Sequence, residues 1–234
     1  KGVRRAAMGP VIPTKTGGAV LIDCGATAEC TPEFLLQFAF MGSYYAKKML
    51  GVSNPRVALL NIGAEDSKGT QLQKDAYALL KKAGDDGYVN FIGNIEARGV
   101  PMGEADVVVS DGFSGNVLLK GVEGLAKSTM FWLKRVLTKN ALRIVGAILA
   151  KNAFRELKAF GDADDIGGAP LLGINGICII GHGSSSPKAV RNAIRVAGEC
   201  VTFGLNERIV AKINEAGCTT AELEKKIADA KSRK

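Results

Sequence analysis

A short segment in the middle of the chain combines residue types that suit anion binding. Residues 106–120 read DVVVSDGFSGNVLLK. Three consecutive valines are typical of a strand buried in a parallel sheet, and the glycines after them predict a turn. Ser114 or Asn116 is then placed to open a helix, whose unpaired N–H groups and positive dipole end favour a phosphate. Asn116 adds an amide for a substrate oxygen. The alternative is a connecting turn whose glycines only satisfy backbone geometry.

Two similar strand–turn–helix units precede this segment. Residues 19–23 are the first apparent strand, and a helix is predicted from about Thr31 to Gly51. Residues 57–63 predict a second strand, followed by a turn over 64–69 and a helix from about Thr70 to Ala83. Residues 89–93 predict a further strand. This alternation predicts an α/β fold with a mainly parallel sheet flanked by helices.

A parallel sheet places its strand-to-helix turns along one edge, where ligands bind in open α/β folds. Polar residues far apart in the sequence are therefore expected to meet along one rim. They are Asp23, Asn61, Glu65, Asp66, Lys68, Asp111 and Asn116.

The last third of the chain contains the single histidine. Residues 167–173 predict a rigid glycine-rich turn, residues 177–180 a buried strand, and a helix begins near Pro187. His182 lies between two glycines and is either a general base or phosphate contact, or a residue that ties the turn by hydrogen bonding. One histidine and no G-x-S-x-G argue against a hydrolase triad. No G-x-G-x-x-G follows a strand, which argues against a dinucleotide oxidoreductase.

A basic amphipathic helical region is predicted over residues 127–160. Between Lys127 and Lys158 there are eight basic residues and one acidic residue, a net charge of +7 against +8 for the whole chain. Arg135, Lys139 and Arg143 fall opposite an apolar stripe that includes Ile144 and Ile148. We consider an ordinary solvated helix face, a docking surface for an acidic protein, and membrane contact through Trp132, Ile144, Val145 and Ile148. Nucleic acid is disfavoured because exposed aromatics are not interleaved with the basic residues.

Bulk properties set further limits. The 234 residues suffice for a single α/β domain over 1–234 that carries the 127–160 region as an insertion. Five cysteines without a C-x-x-C pair and one histidine argue against a metal site and favour a reduced, cytoplasmic compartment. Cys24 is interpreted as a core residue rather than a nucleophile.

Neither a signal peptide nor a membrane-spanning run is visible. The chain starts at Lys1, which is consistent with a processed piece.

Several segments together resemble the bacterial phosphate acyltransferases of phospholipid synthesis. They are residues 59–69 (LLNIGAEDSKG), 90–98 (NFIGNIEAR), 111–117 (DGFSGNV), 167–173 (GGAPLLG) and 182–185 (HGSS). The resemblance covers about Asp23 to Ala197. It implies a homodimer with a fold like the isopropylmalate dehydrogenases and phosphotransacetylases. It also implies transfer of a long-chain acyl group from acyl carrier protein to inorganic phosphate. This reaction needs no cofactor, and its product, acyl phosphate, would be the substrate of a glycerol-3-phosphate acyltransferase.

The resemblance also implies roles for individual residues. The lysine of the Glu-Asp-x-Lys-Gly turn and the asparagine of Asp-Gly-Phe-x-Gly-Asn, which are implicated in catalysis, match Lys68 and Asn116. Residues 141–149 match a hydrophobic helical tip linked to peripheral membrane association. The predicted contacts of substrate or phosphate are Asp23, Asn61, Glu65, Asp111, Gly112, Ser114, Gly115 and His182. The predicted contacts of carrier protein or membrane are Arg135, Lys139, Arg143, Ile144, Val145 and Ile148.

The chain departs from the family pattern in two places. Thr27 stands where the family has the asparagine of Asp-x-Gly-Ala-Asn. The leading α/β segment of the family, with its Met-Gly-Gly-Asp and Ala-Gly-Asn-Thr-Gly loops, is missing. We therefore expect the chain to be the C-terminal portion of a longer enzyme and to be weakly active or inactive alone. The alternatives to acyl-carrier-protein chemistry are a short-chain phosphotransacylase that uses a CoA thioester and a non-catalytic membrane-associated scaffold.

Overall fold

The computed structural model describes residues 2–160, 167–183 and 185–217. Its strands are β1 (Ala7–Met8), β2 (Val11–Thr14), β3 (Gly17–Ile22), β4 (Arg56–Asn61), β5 (Asn90–Glu96), β6 (Val107–Val109), β7 (Ala169–Leu172) and β8 (Ile179–Ile180). Its helices are α1 (Pro32–Met49), α2 (Gln71–Asp85), α3 (Gly112–Leu137), α4 (Ala141–Leu149), α5 (Lys151–Phe160), α6 (Pro187–Thr202) and α7 (Leu205–Glu215).

The main sheet has the strand order β2-β3-β6-β4-β5. The pairs β3–β6, β6–β4 and β4–β5 are parallel, and β2 adds an antiparallel edge. The mainly parallel α/β fold is therefore confirmed. A second, three-stranded antiparallel sheet has the order β1-β7-β8.

The three valines of β6 occupy the middle of the main sheet, which is covered on both faces. Val107 and Val109 belong to a large apolar cluster on the side of α1. Val108 belongs to a smaller cluster on the opposite side, against which Leu118 and Leu119 of α3 pack. Successive residues of a strand point to opposite faces, so a strand buried on both sides must be apolar throughout.

Three short strands lie where the sequence predicts none. The expectation that the first strand begins near Ala19 is wrong, because β1 and β2 precede it and β2 forms a hairpin with β3. Proline lacks the backbone N–H that pairs neighbouring strands. Pro13 is tolerated in β2 because β2 is an edge strand, whose outer side pairs with no other strand of the sheet. The glycine-rich turn predicted over 167–173 contains β7, which pairs with both β1 and β8.

Several helix boundaries also differ from the sequence expectation. Neither Ser114 nor Asn116 opens α3: Asp111 is its N-cap, and the helix begins at Gly112. The basic region divides into α3, α4 and α5, and Asn140 caps α4 by accepting from the Arg143 N–H at 3.0 Å. Ser186 caps α6, which begins at Pro187 as the sequence predicts. Ser184, a second candidate cap for this helix, and the Thr219-x-x-Glu222 capping box, which predicts a short terminal helix, lie outside the described residues.

An ion pair joins the starts of two neighbouring strands. Nε and Nη2 of Arg56, at the start of β4, donate to the Asp106 carboxylate at 3.0 and 2.9 Å, and the Arg56 N–H donates to it at 2.8 Å. Partial burial acts to raise the pKa of Asp106, but the hydrogen bonds from Arg56 outweigh it and hold this pKa below its ordinary value.

We expect Asp106→Asn to lower the free energy of unfolding by about 1 to 2 kcal/mol at neutral pH, because the hydrogen bonds between Arg56 and the carboxylate are lost. The loss is modest because the Arg56 side chain is partly exposed to solvent. A pKa lowered by folding stabilises the protein above the unfolded value of 3.8, and that contribution is lost as pH falls through the folded value. Urea titrations should therefore show the difference between wild type and variant shrinking below pH 3.8. A difference that stays constant with pH would contradict this account of the pair.

Candidate functional site

The loops that carry the predicted rim residues follow three adjacent strands. Val109, the last residue of β6, is paired with Ile22 of β3 and with Leu59 of β4. Neighbouring strands lie about 4.8 Å apart, so the loops after β3, β6 and β4 emerge side by side at the carboxyl edge of the sheet. This is the edge at which open α/β folds bind ligands.

Asp23, directly after β3, organises the first of these loops. Its carboxylate is fully buried and accepts from the N–H groups of Met8 at 2.8 Å, Ala26 at 3.2 Å and Thr27 at 2.6 Å. These bonds fix the loop and attach β1 to it, so the Asp23 carboxylate holds this loop, and its contact with substrate stays a prediction. Thr27 enters this arrangement through its backbone, while its hydroxyl donates to the Ala6 carbonyl at 3.3 Å.

The start of α3 packs directly on the same loop. A Cβ added to Gly115 would lie 2.0 Å from the Asp23 carbonyl oxygen, and one added to Gly112 would lie 2.5 Å from the Thr27 carbonyl oxygen. The Ser110 hydroxyl also donates to the Asp23 carbonyl at 2.8 Å. Only glycine permits this approach, so Gly112 and Gly115 serve packing at this edge.

The helix start is less open to an anion than the sequence predicts. The Gly112 N–H donates to the Thr27 carbonyl at 2.9 Å, and the Gly115 N–H donates to the Asp111 carbonyl at 3.0 Å. The Asp111 carboxylate accepts from the Ser114 N–H at 2.7 Å and from its hydroxyl at 2.8 Å. The expectation of several unpaired N–H groups is therefore wrong for Gly112, Ser114 and Gly115, and Asp111 is engaged as the cap.

Asn116, unlike the residues at the start of α3, has an exposed side chain that takes no part in capping the helix. It lies in the second turn of α3. A Cβ added to Gly25, in the loop after β3, would lie 3.9 Å from its carboxamide carbon. The side-chain amide of Asn116 therefore lies beside the Gly25 loop at the rim.

The loop after β4 holds Lys68 through its backbone. Nδ2 of Asn61 donates to the Lys68 carbonyl at 3.1 Å, and the Lys68 N–H donates to the Glu65 carbonyl at 3.2 Å. Gly69 follows with φ +89, and a Cβ there would lie 2.6 Å from Oδ1 of Asn61. Asn61 thus shapes the turn, while the exposed Lys68 has no ion-pair partner within the described ranges.

Asn94 is a residue of this site that the sequence interpretation did not single out. Its Nδ2 donates to the Glu65 carbonyl at 2.7 Å, so it supports the turn that presents Lys68. Its Oδ1 is buried and accepts no hydrogen bond from the part of the chain that the structure describes. The available signal was an asparagine near the carboxyl end of a predicted strand, in a segment already noted for its resemblance.

His182 occupies a separate place. It follows β8, in the smaller sheet, and lines a cavity of about 470 Å³ together with Ile179, Val190 and Ile194. None of the rim residues lines this cavity. The Ser185 hydroxyl accepts from the backbone N–H of His182 at 3.0 Å, a bond that does not involve the imidazole, so both roles considered for this side chain stay predictions.

Cys24 adjoins the site without chemical activity of its own. It is fully buried, as the sequence predicts for a core residue. Burial, reinforced by the neighbouring Asp23, raises the pKa of its thiol to about 12. The thiol is therefore protonated at neutral pH and is a poor nucleophile.

The helices after the site form a surface that we call the basic tip, residues 127–157. No residue of α4 is buried, and Ile144, Val145 and Ile148 are all exposed. The Arg135 guanidinium stacks on Trp132 at 5.3 Å, and Phe131 and Trp132 are both more than half exposed. The expectation that exposed aromatics are not interleaved with the basic residues is therefore wrong. The exclusion of nucleic acid stays a prediction.

Arg143 also has a structural role in the basic tip. Its Nη1 donates to the Val136 carbonyl of α3 at 3.2 Å, which joins α4 to the end of α3. Lys139 lies in the break between these two helices. Within the ranges that the structure describes, no helix is long and apolar enough to cross a bilayer.

Comparison with known proteins agrees with this architecture. The chain is 51% identical over 210 residues to a phosphate acyltransferase from Desulfitobacterium hafniense (strain DSM 10664 / DCB-2), covering 89% of this chain and 62% of that protein. It is 47% identical over 215 residues to a phosphate acyltransferase from Elusimicrobium minutum (strain Pei191), covering 92% and 62%. The chain thus spans about 62% of the length of these relatives.

The fold is similar to that of a branched-chain phosphotransacylase from Enterococcus faecalis V583. The TM-score is 0.51 at 17% identity, over 85% of this chain and 66% of that one. Residues 1–208 match the family model described as "Fatty acid synthesis protein". The chain therefore belongs to the family of fatty acid synthesis proteins, in which its curated relatives are phosphate acyltransferases.

Proposed function

We propose that the protein of which this chain is part transfers a long-chain acyl group from acyl carrier protein to inorganic phosphate. The observation that carries the proposal is the strand order β3-β6-β4, which brings the Gly25 loop, the first turns of α3 with Asn116, and the Lys68 loop to one edge of the sheet. The similarity to phosphate acyltransferases supports the reaction type.

In the proposed reaction, a phosphate oxygen attacks the thioester carbonyl carbon. A carbon–oxygen bond to phosphate forms, the carbon–sulfur bond breaks, and the proton of hydrogen phosphate passes to the leaving thiolate. The products are acyl phosphate and the free thiol of the carrier. No covalent enzyme intermediate is required, which is consistent with the protonated thiol of Cys24.

Two residues have direct roles in this proposal. The ammonium group of Lys68 balances the phosphate charge and orients one oxygen for attack. The side-chain amide of Asn116 donates to the oxyanion that develops on the carbonyl. Asp23, Asn61, Glu65, Asp111 and Asn94 act through the loops that they hold.

The experiment is an assay of phosphate-dependent thiol release from long-chain acyl carrier protein, long-chain acyl-CoA and acetyl-CoA. It should use the 234-residue chain and, in parallel, the longest open reading frame that contains it. The proposal expects the highest kcat/KM with the acyl carrier protein. Faster turnover of acetyl-CoA would instead support a short-chain phosphotransacylase, and vesicle binding without thioester cleavage would support a scaffold.

Partners follow from the same proposal. Acyl carrier protein is acidic, and the basic tip offers Arg135 and Lys139 as complementary charges. The exposed Ile144, Val145 and Ile148 are the proposed peripheral contact with the inner face of the cell membrane, where a glycerol-3-phosphate acyltransferase would take the product. We also propose a homodimer, which light scattering of the purified protein would test.

We expect the double substitution Arg135→Glu and Lys139→Glu to weaken binding of acyl carrier protein about tenfold at low salt. Two attractive charges become repulsive, and exposed charges act mainly on association at low ionic strength. Surface plasmon resonance between 50 and 500 mM NaCl would measure this effect.

Lys74→Glu with Lys81→Glu, on the exposed side of α2, is the matched control for net charge. The affinity of this control should stay within about twofold of wild type, because its charges lie outside the basic tip. Equal losses in both variants, or an affinity that does not change with salt, would remove the basic tip as the docking surface.

A further inference from the structure

A cleft of about 370 Å³ opens at the amino edge of the main sheet. Residues 53–55, which precede β4, and residues 87–90, which lead into β5, form one side of it. The end of α1 and the helix α7 form the other. A parallel strand rises about 3.3 Å per residue. The cleft and the rim lie at opposite ends of the six-residue β4 and are therefore about 20 Å apart.

The charge of the cleft is strongly one-sided. Four cationic side chains line it: Lys47, Lys48, Arg208 and Lys212. Within the described residues, Lys47, Lys48 and Arg208 have no ion-pair partner. Lys212 is 3.6 Å from the Glu215 carboxylate and also lies over the ring of Tyr88, at 5.6 Å. The nearby Asp86 is paired with Lys82 on α2.

Helix dipoles account for only part of this arrangement. Lys47 and Lys48 lie in the last turn of α1, where the carbonyl end of a helix favours cations. Arg208 is the fourth residue of α7, near the positive end of that helix, where a cation is disfavoured. It lies beside two other exposed, unpaired cations, an arrangement that would suit an anionic partner.

Tyr44 supplies a second, independent observation. It lines the cleft, and its buried hydroxyl has no hydrogen-bond partner in the part of the chain that the structure describes. A buried hydroxyl without a partner lowers stability. An oxyanion bound in the cleft, with the Tyr44 ring turned toward it, would offer the acceptor that this hydroxyl lacks.

We propose that this cleft is a second anion site, which binds a small molecule carrying phosphate groups with at least two negative charges. The cleft has the volume of small-molecule sites and is concave, whereas an acidic protein would need a broader surface. The lysine and arginine side chains suit phosphate oxygens, with Arg208 able to donate two parallel hydrogen bonds. The site is distinct from the rim that carries Lys68.

Pyrophosphate is the probe, titrated into the 234-residue chain at constant ionic strength. Amide shifts in ¹⁵N NMR spectra should saturate at residues 43–55 and 205–213. Lys47→Ala with Arg208→Ala should weaken binding at least about tenfold, because two charge-assisted contacts are lost. Tyr44→Phe should weaken it about threefold or more. Lys81→Ala with Arg191→Ala, two exposed cations outside the cleft, should change the affinity by less than about twofold.

The outcomes separate this site from the proposed catalytic rim. Lys68→Ala should leave the amide shifts at residues 43–55 and 205–213 unchanged, whatever it does to binding at the rim. Loss of those shifts in Lys68→Ala, or shifts confined to residues 61–70 and 110–117, would overturn the cleft assignment and leave the acyl-transfer proposal standing. Equal weakening in the two double variants would also overturn it. Tighter binding of a glutamate-rich peptide than of pyrophosphate would make the cleft a protein-docking surface instead.

Discussion

Lys68→Ala is expected to lower the rate of phosphate-dependent thioester cleavage about 100- to 1,000-fold, the loss typical of removing one preorganised charge-stabilising donor. The exposed ammonium group of Lys68 has no carboxylate oxygen within 4 Å among the described residues, and its backbone is held by Asn61 and Glu65. Steady-state assays with acyl carrier protein thioesters, at varied phosphate concentration, would measure the effect.

The matched control is Lys81→Ala, another exposed lysine, on α2. It should retain wild-type activity. Circular dichroism and the unfolding midpoint should be unchanged in both variants, since Lys68 anchors its turn through backbone groups. Near wild-type turnover by Lys68→Ala would defeat the catalytic assignment without affecting the assignment of the fold.

Gly115→Ala is expected to lower the free energy of unfolding by about 3 kcal/mol, at the upper end of the usual effect of overpacking. The added Cβ would lie 2.0 Å from the Asp23 carbonyl oxygen and 2.5 Å from the Ser110 hydroxyl, so α3 must move away from the loop after β3. Activity should fall as well, because Asn116 is the next residue of the same helix. Denaturation in guanidinium chloride would measure the loss.

Gly121→Ala in the same helix is a stringent control, because nothing lies within 4 Å of the Cβ that it adds. Glycine weakens a helix interior, so this variant should be as stable as wild type or more stable by up to about 1 kcal/mol. If Gly115→Ala unfolded at the same denaturant concentration as Gly121→Ala, the close approach at Asp23 would have no energetic importance.

The central part of the fold could be predicted from local patterns. The uninterrupted valines of 107–109 indicate a strand buried on both faces, and the alternation of strands with helices fixes their parallel direction. The short strands β1, β2 and β7 could not be found in this way. Two to four residues are too few for a periodic signal, and their pairing depends on partners far away in the sequence.

Details of the site depended on tertiary contacts in the same way. The sequence placed Asn116 and Lys68 after parallel strands and along one rim, but it could not show that Asp111 caps α3 or that Asp23 is enclosed by three N–H groups. The break before α4 was missed because the 3–4 spacing of apolar residues continues across it. Asn140, a common N-cap residue, was the local signal for that break.

The length of α3 links the rim to the basic tip. One uninterrupted helix carries Asn116 near its beginning and Trp132 near its end. At 1.5 Å per residue, it acts as a stiff spacer of about 24 Å between them. A tilt of α3 at the Trp132 end would therefore displace Asn116 at the other end, so a contact made at the basic tip can change the geometry of the rim.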